Sequence, residues 1–105
     1  MITLLNSPVI TAEGLFRYRR ISLEEARALV AGEEIRSAIG HADTAKLVAR
    51  LLSIGCPTAR IGVKQQVGER ALVFRLRERP ATPGELSLEE VERIGYEWGL
   101  LDRVE

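Results

Sequence analysis

Cysteine and histidine each occur once in this 105-residue chain. A single thiol, Cys56, closes no internal disulfide, and one thiol with one imidazole falls short of a zinc ligand set. Aromatic residues make up only 5% of the chain, which leaves little for the base-stacking platform of a single-strand nucleic-acid binder. A surplus of either charge is also missing, since 15 Lys plus Arg stand against 15 Asp plus Glu. That balance argues against a general duplex-DNA binder, which needs a cationic excess to neutralise phosphates. No apolar run approaches the ~18 residues of a membrane span. The opening residues, Met1 to Asn6, have neither a basic segment nor a long apolar core, so no signal peptide is expected and the cytoplasm is the default location. Repeats, low-complexity tracts and Gly/Ser linkers are lacking.

What is present is the composition of an ordinary globular domain, 46% hydrophobic and 29% charged. At this length one domain over residues 1–105 is expected. It should bury roughly 65% of its unfolded surface, enough for a core without staples.

Residues 2–5 read as a buried strand that stops at Asn6-Ser7-Pro8. Residues 15–21 alternate as a half-exposed strand whose Arg17, Arg19 and Arg20 form a solvated, basic edge. Ser22 with Glu25 is a capping box and opens a helix ending near Gly32. A short strand over 35–39 leads through Gly40-His41 into a helix over 42–54, with Leu47, Val48, Leu51 and Leu52 at helical spacing and Gly55 and Pro57 to stop it. Residues 60–64 and 70–76 suggest a β-hairpin, with Ala71, Val73 and Arg75 on one face and Leu72, Phe74 and Leu76 on the other. Arg79-Pro80-Ala81-Thr82-Pro83-Gly84-Glu85 reads as an open loop. Ser87 with Glu90 caps a third helix that runs through Val91, Ile94 and Trp98 to Gly99, and residues 100–104 suggest a last strand. The expected fold is α/β (α+β): one domain with a mixed β-sheet of about five or six strands and about three packed helices.

His41 sits where a strand turns into a helix, in Ser37-Ala38-Ile39-Gly40-His41-Ala42-Asp43-Thr44. Gly40 permits close backbone approach, the helix start offers free N–H groups to an anion, and imidazole exchanges protons near neutrality. The plain alternative is that His41, Asp43 or Thr44 merely caps the helix. Asn6-Ser7-Pro8 follows a strand end, where open sheets often bind ligands, although it also suits an Asx turn. Arg60 and Arg79, at strand ends, could fork a phosphate or be solvated surface charges. Cys56 before Pro57 is most simply a small buried hydrophobe.

Taken together, these pieces resemble a small family of archaeal viruses, phages and bacteria that contains viral anti-CRISPR ring nucleases and their cellular relatives. The resemblance runs over nearly the whole chain. It rests on Leu4-Leu5-Asn6-Ser7, Ile39-Gly40-His41 with Thr44 before an apolar helix, Arg60, Arg79, and Gly84 ahead of Leu86-Ser87-Leu88-Glu89-Glu90. It implies a homodimer that binds the second messenger cyclic tetra-adenylate. The family cuts this ring, without metal or cofactor, to linear di-adenylate with 2′,3′-cyclic phosphate ends, and so switches off type III CRISPR signalling. The resemblance makes His41 the general acid. Arg60 and Arg79 hold phosphate or position the ring, and Asn6 lines the pocket, with Ser7, Gly40 and Thr44 as neighbouring binding residues. Viral members carry two acidic residues and a glycine soon after the arginine that matches Arg79. Here Pro80-Ala81-Thr82-Pro83-Gly84-Glu85 stands instead, so the acidic catalytic role falls to Glu85, or else to Glu78.

The implied chemistry suits the residues. A ribose 2′-hydroxyl attacking its own phosphate needs held geometry, charge stabilisation on the non-bridging oxygens and a proton for the departing 5′-oxygen. No protein nucleophile is required. Two other readings stay open at this level: a module that sequesters a cyclic oligonucleotide without cutting it, and a nucleic-acid-binding protein, against which the zero net charge counts.

Overall fold

Two capping boxes start the first and third helices, and both are fully made. Ser22 Oγ accepts the Glu25 N–H at 3.1 Å and Ser87 Oγ accepts the Glu90 N–H at 3.1 Å, while each glutamate reaches back to the cap backbone. In the computed structural model, which describes residues 1–78 and 87–105, the elements run β1 (Ile2–Leu5), β2 (Phe16–Ile21), α1 (Leu23–Val30), β3 (Ile35–Ser37), α2 (Ala42–Leu52), β4 (Arg70–Leu76), α3 (Leu88–Ile94) and β5 (Tyr96–Arg103).

The strands form one mixed sheet in the order β2-β5-β4-β1-β3. β1 lies between two parallel neighbours, with Leu4 opposite both Ser37 of β3 and Leu72 of β4. β5 is antiparallel to β4 and to the edge strand β2, with Trp98 opposite Phe74 and Ile21. Strand alternation therefore splits the sheet into two faces. Ile2, Leu4, Leu72, Phe74, Trp98 and Leu100 meet Ala26 and Val30 of α1, Ala45, Val48, Leu51 and Leu52 of α2, and Val91 of α3 in the main core. All three helices thus cover one face. On the other face Ala71, Val73 and Leu101 form a smaller buried cluster with Leu5 and Phe16. The result is a single α+β domain, and among the described residues no helix is long and apolar enough to cross a membrane.

Four expectations change. Residues 60–64 do not pair with β4 in a hairpin; they lie outside the sheet, and β4 takes β1 and β5 as its neighbours. The eight residues of β5 bury Trp98, Leu100 and Leu101, which residues 60–64, with only Ile61 and Val63 as large apolar side chains, could not match. The third helix ends at Ile94 rather than passing through Trp98, because Gly95, at φ 88°, is its cap and Tyr96 starts a strand. Val91, Ile94 and Trp98 fall at helical spacing, yet Tyr96, Trp98 and Leu100 also alternate. The second pattern prevails because it packs Trp98 and Tyr96 against Phe74 in tilted pairs, with ring centroids 5.1 and 5.7 Å apart. The strand at 35–39 and the helix at 42–54 are each two residues shorter than expected, and the helix closes on Ser53 in a left-handed conformation at φ 55°.

The basic edge is as expected. β2 is the outermost strand, Arg19 lies 3.5 Å from Glu25, and Arg20 lies 2.9 Å from Glu97.

Candidate functional site

Parallel pairing brings the carboxyl ends of β1, β3 and β4 to the same end of the sheet. Loops at that end of an open α/β sheet are where ligands usually bind. The loop after β1 carries Asn6 and Ser7, and the turn after β3 carries Gly40 and His41. The Ala38 N–H donates to the Leu4 carbonyl at 2.9 Å, which sets these two segments side by side. Asn6 is exposed and Ser7 half-buried, with the Ser7 carbonyl accepting the Val9 N–H in a tight turn.

His41 occupies the N-cap position of α2, but its side chain makes no capping bond and is exposed. The helix start is fixed by backbone instead, through the Ala45 N–H donating to the His41 carbonyl at 2.9 Å. The imidazole is therefore free to meet a ligand. Thr44, half-buried, sits in the same first turn.

Arg60 reaches this turn from a distant part of the chain. After α2 the backbone returns past β3, and the Ala59 N–H donates to the Ile39 carbonyl at 2.9 Å. Arg60 Nε then donates to the Gly40 carbonyl at 3.1 Å, which seats the guanidinium against the Gly40–His41 peptide. Gly40 earns its place here. A Cβ at Gly40 would lie 2.8 Å from Arg60 Cγ, so the close approach that glycine permits is to an arginine stem. Among the described residues Arg60 forms no ion pair, and two of its guanidinium nitrogens stay available to an anion.

The structure thus brings together Gly40, His41, Thr44 and Arg60, and sets the Asn6–Ser7 loop beside them. Arg79 and Glu85 lie outside the described residues. Glu78 is exposed, just past the end of β4.

Two residues that the sequence did not single out as site components stand behind the turn. Ser37, the last residue of β3, is 6% exposed, and its Oγ accepts the Ile39 N–H at 3.3 Å. The Cys56 thiol donates to the same oxygen at 3.7 Å. Cys56 is half-buried rather than a plain core residue, and burial pushes its thiol up from its ordinary range against the opposing effect of the Ser37 contact. The legible signal was a serine two residues before a backbone N–H that no helix or ladder uses.

The family model described as STIV B116-like matches residues 2–98. Uncharacterized protein 26 of Sulfolobus islandicus filamentous virus (isolate Iceland/Hveragerdi) is 30% identical over 110 residues, covering 99% of this chain and 92% of the viral protein. Uncharacterized protein YddF of Bacillus subtilis (strain 168) is 30% identical over 106 residues, covering 99% of this chain and 98% of the bacterial one. Among solved structures, B116 of Sulfolobus turreted icosahedral virus superposes with a TM-score of 0.78 at 20% identity, covering 97% of this chain and 98% of that one, a likeness of fold.

Proposed function

The chain belongs to the STIV B116-like family, which viruses and bacteria share, and from its site geometry we propose that it is a metal-independent ring nuclease acting on cyclic tetra-adenylate. The observation that carries the reading is the exposed, uncapped imidazole of His41 on a turn where Arg60 is docked by its Nε and presents the rest of its guanidinium.

In this reading a ribose 2′-oxygen of the ring attacks the adjacent phosphorus, and the bond from phosphorus to the 5′-oxygen breaks. The 2′-hydroxyl proton leaves to the acidic residue, Glu85 or Glu78, or to water. His41 gives a proton to the departing 5′-oxygen. Arg60, Arg79 and the N–H groups at the start of α2 stabilise charge on the non-bridging oxygens, with Asn6, Ser7 and Thr44 lining the pocket. Two such cuts at opposite linkages give two linear di-adenylates with 2′,3′-cyclic phosphate ends. The ring is close to twofold symmetric, so a twofold homodimer offers one His41 to each of two opposite phosphates. Destruction of the messenger would end type III CRISPR signalling. Zero net charge is compatible with this, because four phosphates need only a local cationic pocket.

The test is incubation of the protein with cyclic tetra-adenylate in EDTA, with His41→Ala alongside. Wild type should release linear di-adenylate, and the variant should lose roughly 10²- to 10⁴-fold in rate while still binding the ring. Absence of cleavage by wild type, or equal cleavage by the variant, overturns the proposal. Tight binding without turnover would make the protein a sequestering module.

A further inference from the structure

We propose that Ser37 is a positioning residue whose buried hydroxyl, together with the Cys56 thiol, latches the Ile39-Gly40-His41 turn to the returning segment that carries Arg60. The inference deepens the ring-nuclease reading and, for its kinetic consequence, rests on it.

Four contacts define the latch. Ser37 Oγ accepts the Ile39 N–H at 3.3 Å and the Cys56 S–H at 3.7 Å. Two and three residues beyond Ser37, the Ile39 carbonyl accepts the Ala59 N–H at 2.9 Å and the Gly40 carbonyl accepts Arg60 Nε at 3.1 Å. The two chain segments therefore run alongside each other from Ser37 and Cys56 to Gly40 and Arg60. At the closed end of this pairing the Ser37 side chain touches both segments, the Ile39 N–H on its own and the Cys56 thiol on the other. Ser37 and Ile39 are both buried, at 6% and 0% exposed. Without that hydroxyl the Ile39 N–H has no acceptor in a buried place, and a buried donor of this kind must find a new partner by moving. The backbone that moves is two residues from the proton donor. On the other side of the turn, β1 holds only Ala38, through the Leu4 carbonyl at 2.9 Å. Ser37 thus governs where Gly40 and His41 sit relative to Arg60, while the helix and strand that flank the turn are held by their own ladders and core contacts.

A residue that merely supports the fold would lower stability and leave the folded enzyme's parameters alone. A positioning residue lowers kcat, because a small misplacement of the reacting group is expensive in rate. The experiment measures kcat and KM on cyclic tetra-adenylate, and amide hydrogen exchange without ligand, for wild type, Ser37→Ala, Ser37→Thr and Cys56→Ser. Ser37→Ala should lose roughly tenfold or more in kcat with KM changed less than about threefold. It should also exchange faster at Ile39, whose N–H the hydroxyl accepts, while the β4 amides stay protected. Ser37→Thr and Cys56→Ser keep a hydroxyl at each end and should stay near wild type in both measurements. Unchanged exchange at Ile39 in Ser37→Ala overturns the latch, as does a kcat loss that Ser37→Thr fails to restore. If wild type cuts no ring, the function proposal falls on its own. The exchange data then decide the latch, with fast exchange confined to the turn upholding it and uniform exchange ending it.

Discussion

Substitution of Gly40 by alanine separates the site from the fold. A Cβ there would meet Arg60 Cγ at 2.8 Å, whereas ordinary contact begins at 3.4 Å, so the arginine stem must retreat by at least 0.6 Å (3.4 − 2.8). The obstacle is a flexible, exposed side chain and not backbone, so the retreat is easy, but it breaks the 3.1 Å bond from Arg60 Nε to the Gly40 carbonyl. That bond, at an exposed position, contributes about 0.5–1.5 kcal/mol net to stability. Alanine in place of glycine gains about 0.4–1 kcal/mol by restricting the unfolded chain. The two nearly offset, so the melting temperature should move by no more than about 5 °C. Ligand binding has no such offset. A charge-assisted contact from Arg60 to a phosphate is worth about 1.5–3 kcal/mol, and losing it weakens affinity about 10- to 150-fold. Titration calorimetry with cyclic tetra-adenylate on wild type, Gly40→Ala, Arg60→Ala and the double variant would measure this. Since Gly40 acts through Arg60, the double variant should bind no worse than Arg60→Ala alone. Full affinity in a folded Gly40→Ala protein, or losses that simply add in the double variant, would refute the reasoning.

Two further expectations concern the fold and its pH response. Gly99, in β5, lies under the Tyr18 ring from β2, and a Cβ at Gly99 would overlap that ring; Gly99→Ala should cost about 1–3 kcal/mol in a denaturant melt, and less in a Tyr18→Ala background, where equal costs in both would count against the packing argument. The Cys56 thiol is raised above 9.0 in the folded state by burial, whereas the unfolded chain sheds its proton near the ordinary value. Below that value both states hold the proton and the contribution is complete. As pH climbs from there toward the folded value, the unfolded state binds fewer protons and stability falls. Urea melts at pH 7 and pH 10 should show a larger alkaline loss for wild type than for Cys56→Ser, and identical losses would contradict it.

The readings that succeed rest on short-range energetics. Ser22 with Glu25 and Ser87 with Glu90 satisfy orphan N–H groups within one turn, so the helix starts are legible from four residues. The alternation of Ala71 and Val73 against Leu72 and Phe74 assigns two faces that the two clusters reproduce. The errors begin where a segment must choose a partner. Residues 60–64 and 100–104 both carried strand signals, and only the second, extended back to Tyr96, could bury Trp98, Leu100 and Leu101 against β4. Trp98 fitted a helical stripe as well as a strand, and packing against Phe74 decided between them.

The candidate site divides in the same way. Asn6, Gly40, His41, Thr44 and Arg60 were visible as residue types near predicted strand or helix ends. Their convergence was not, because it depends on β1, β3 and β4 running parallel and on the chain doubling back after α2. Neighbours a few residues apart were enough to set where α1 and α3 begin and which sides of α2 and β4 are apolar. Long-range packing alone settles which strands lie together, that Trp98 extends rather than coils, that Arg60 rests on the Gly40 carbonyl, and that Ser37 and Cys56 meet beneath the turn. Such contacts join residues about 20 positions apart, and their energies exist only once the core has closed around them.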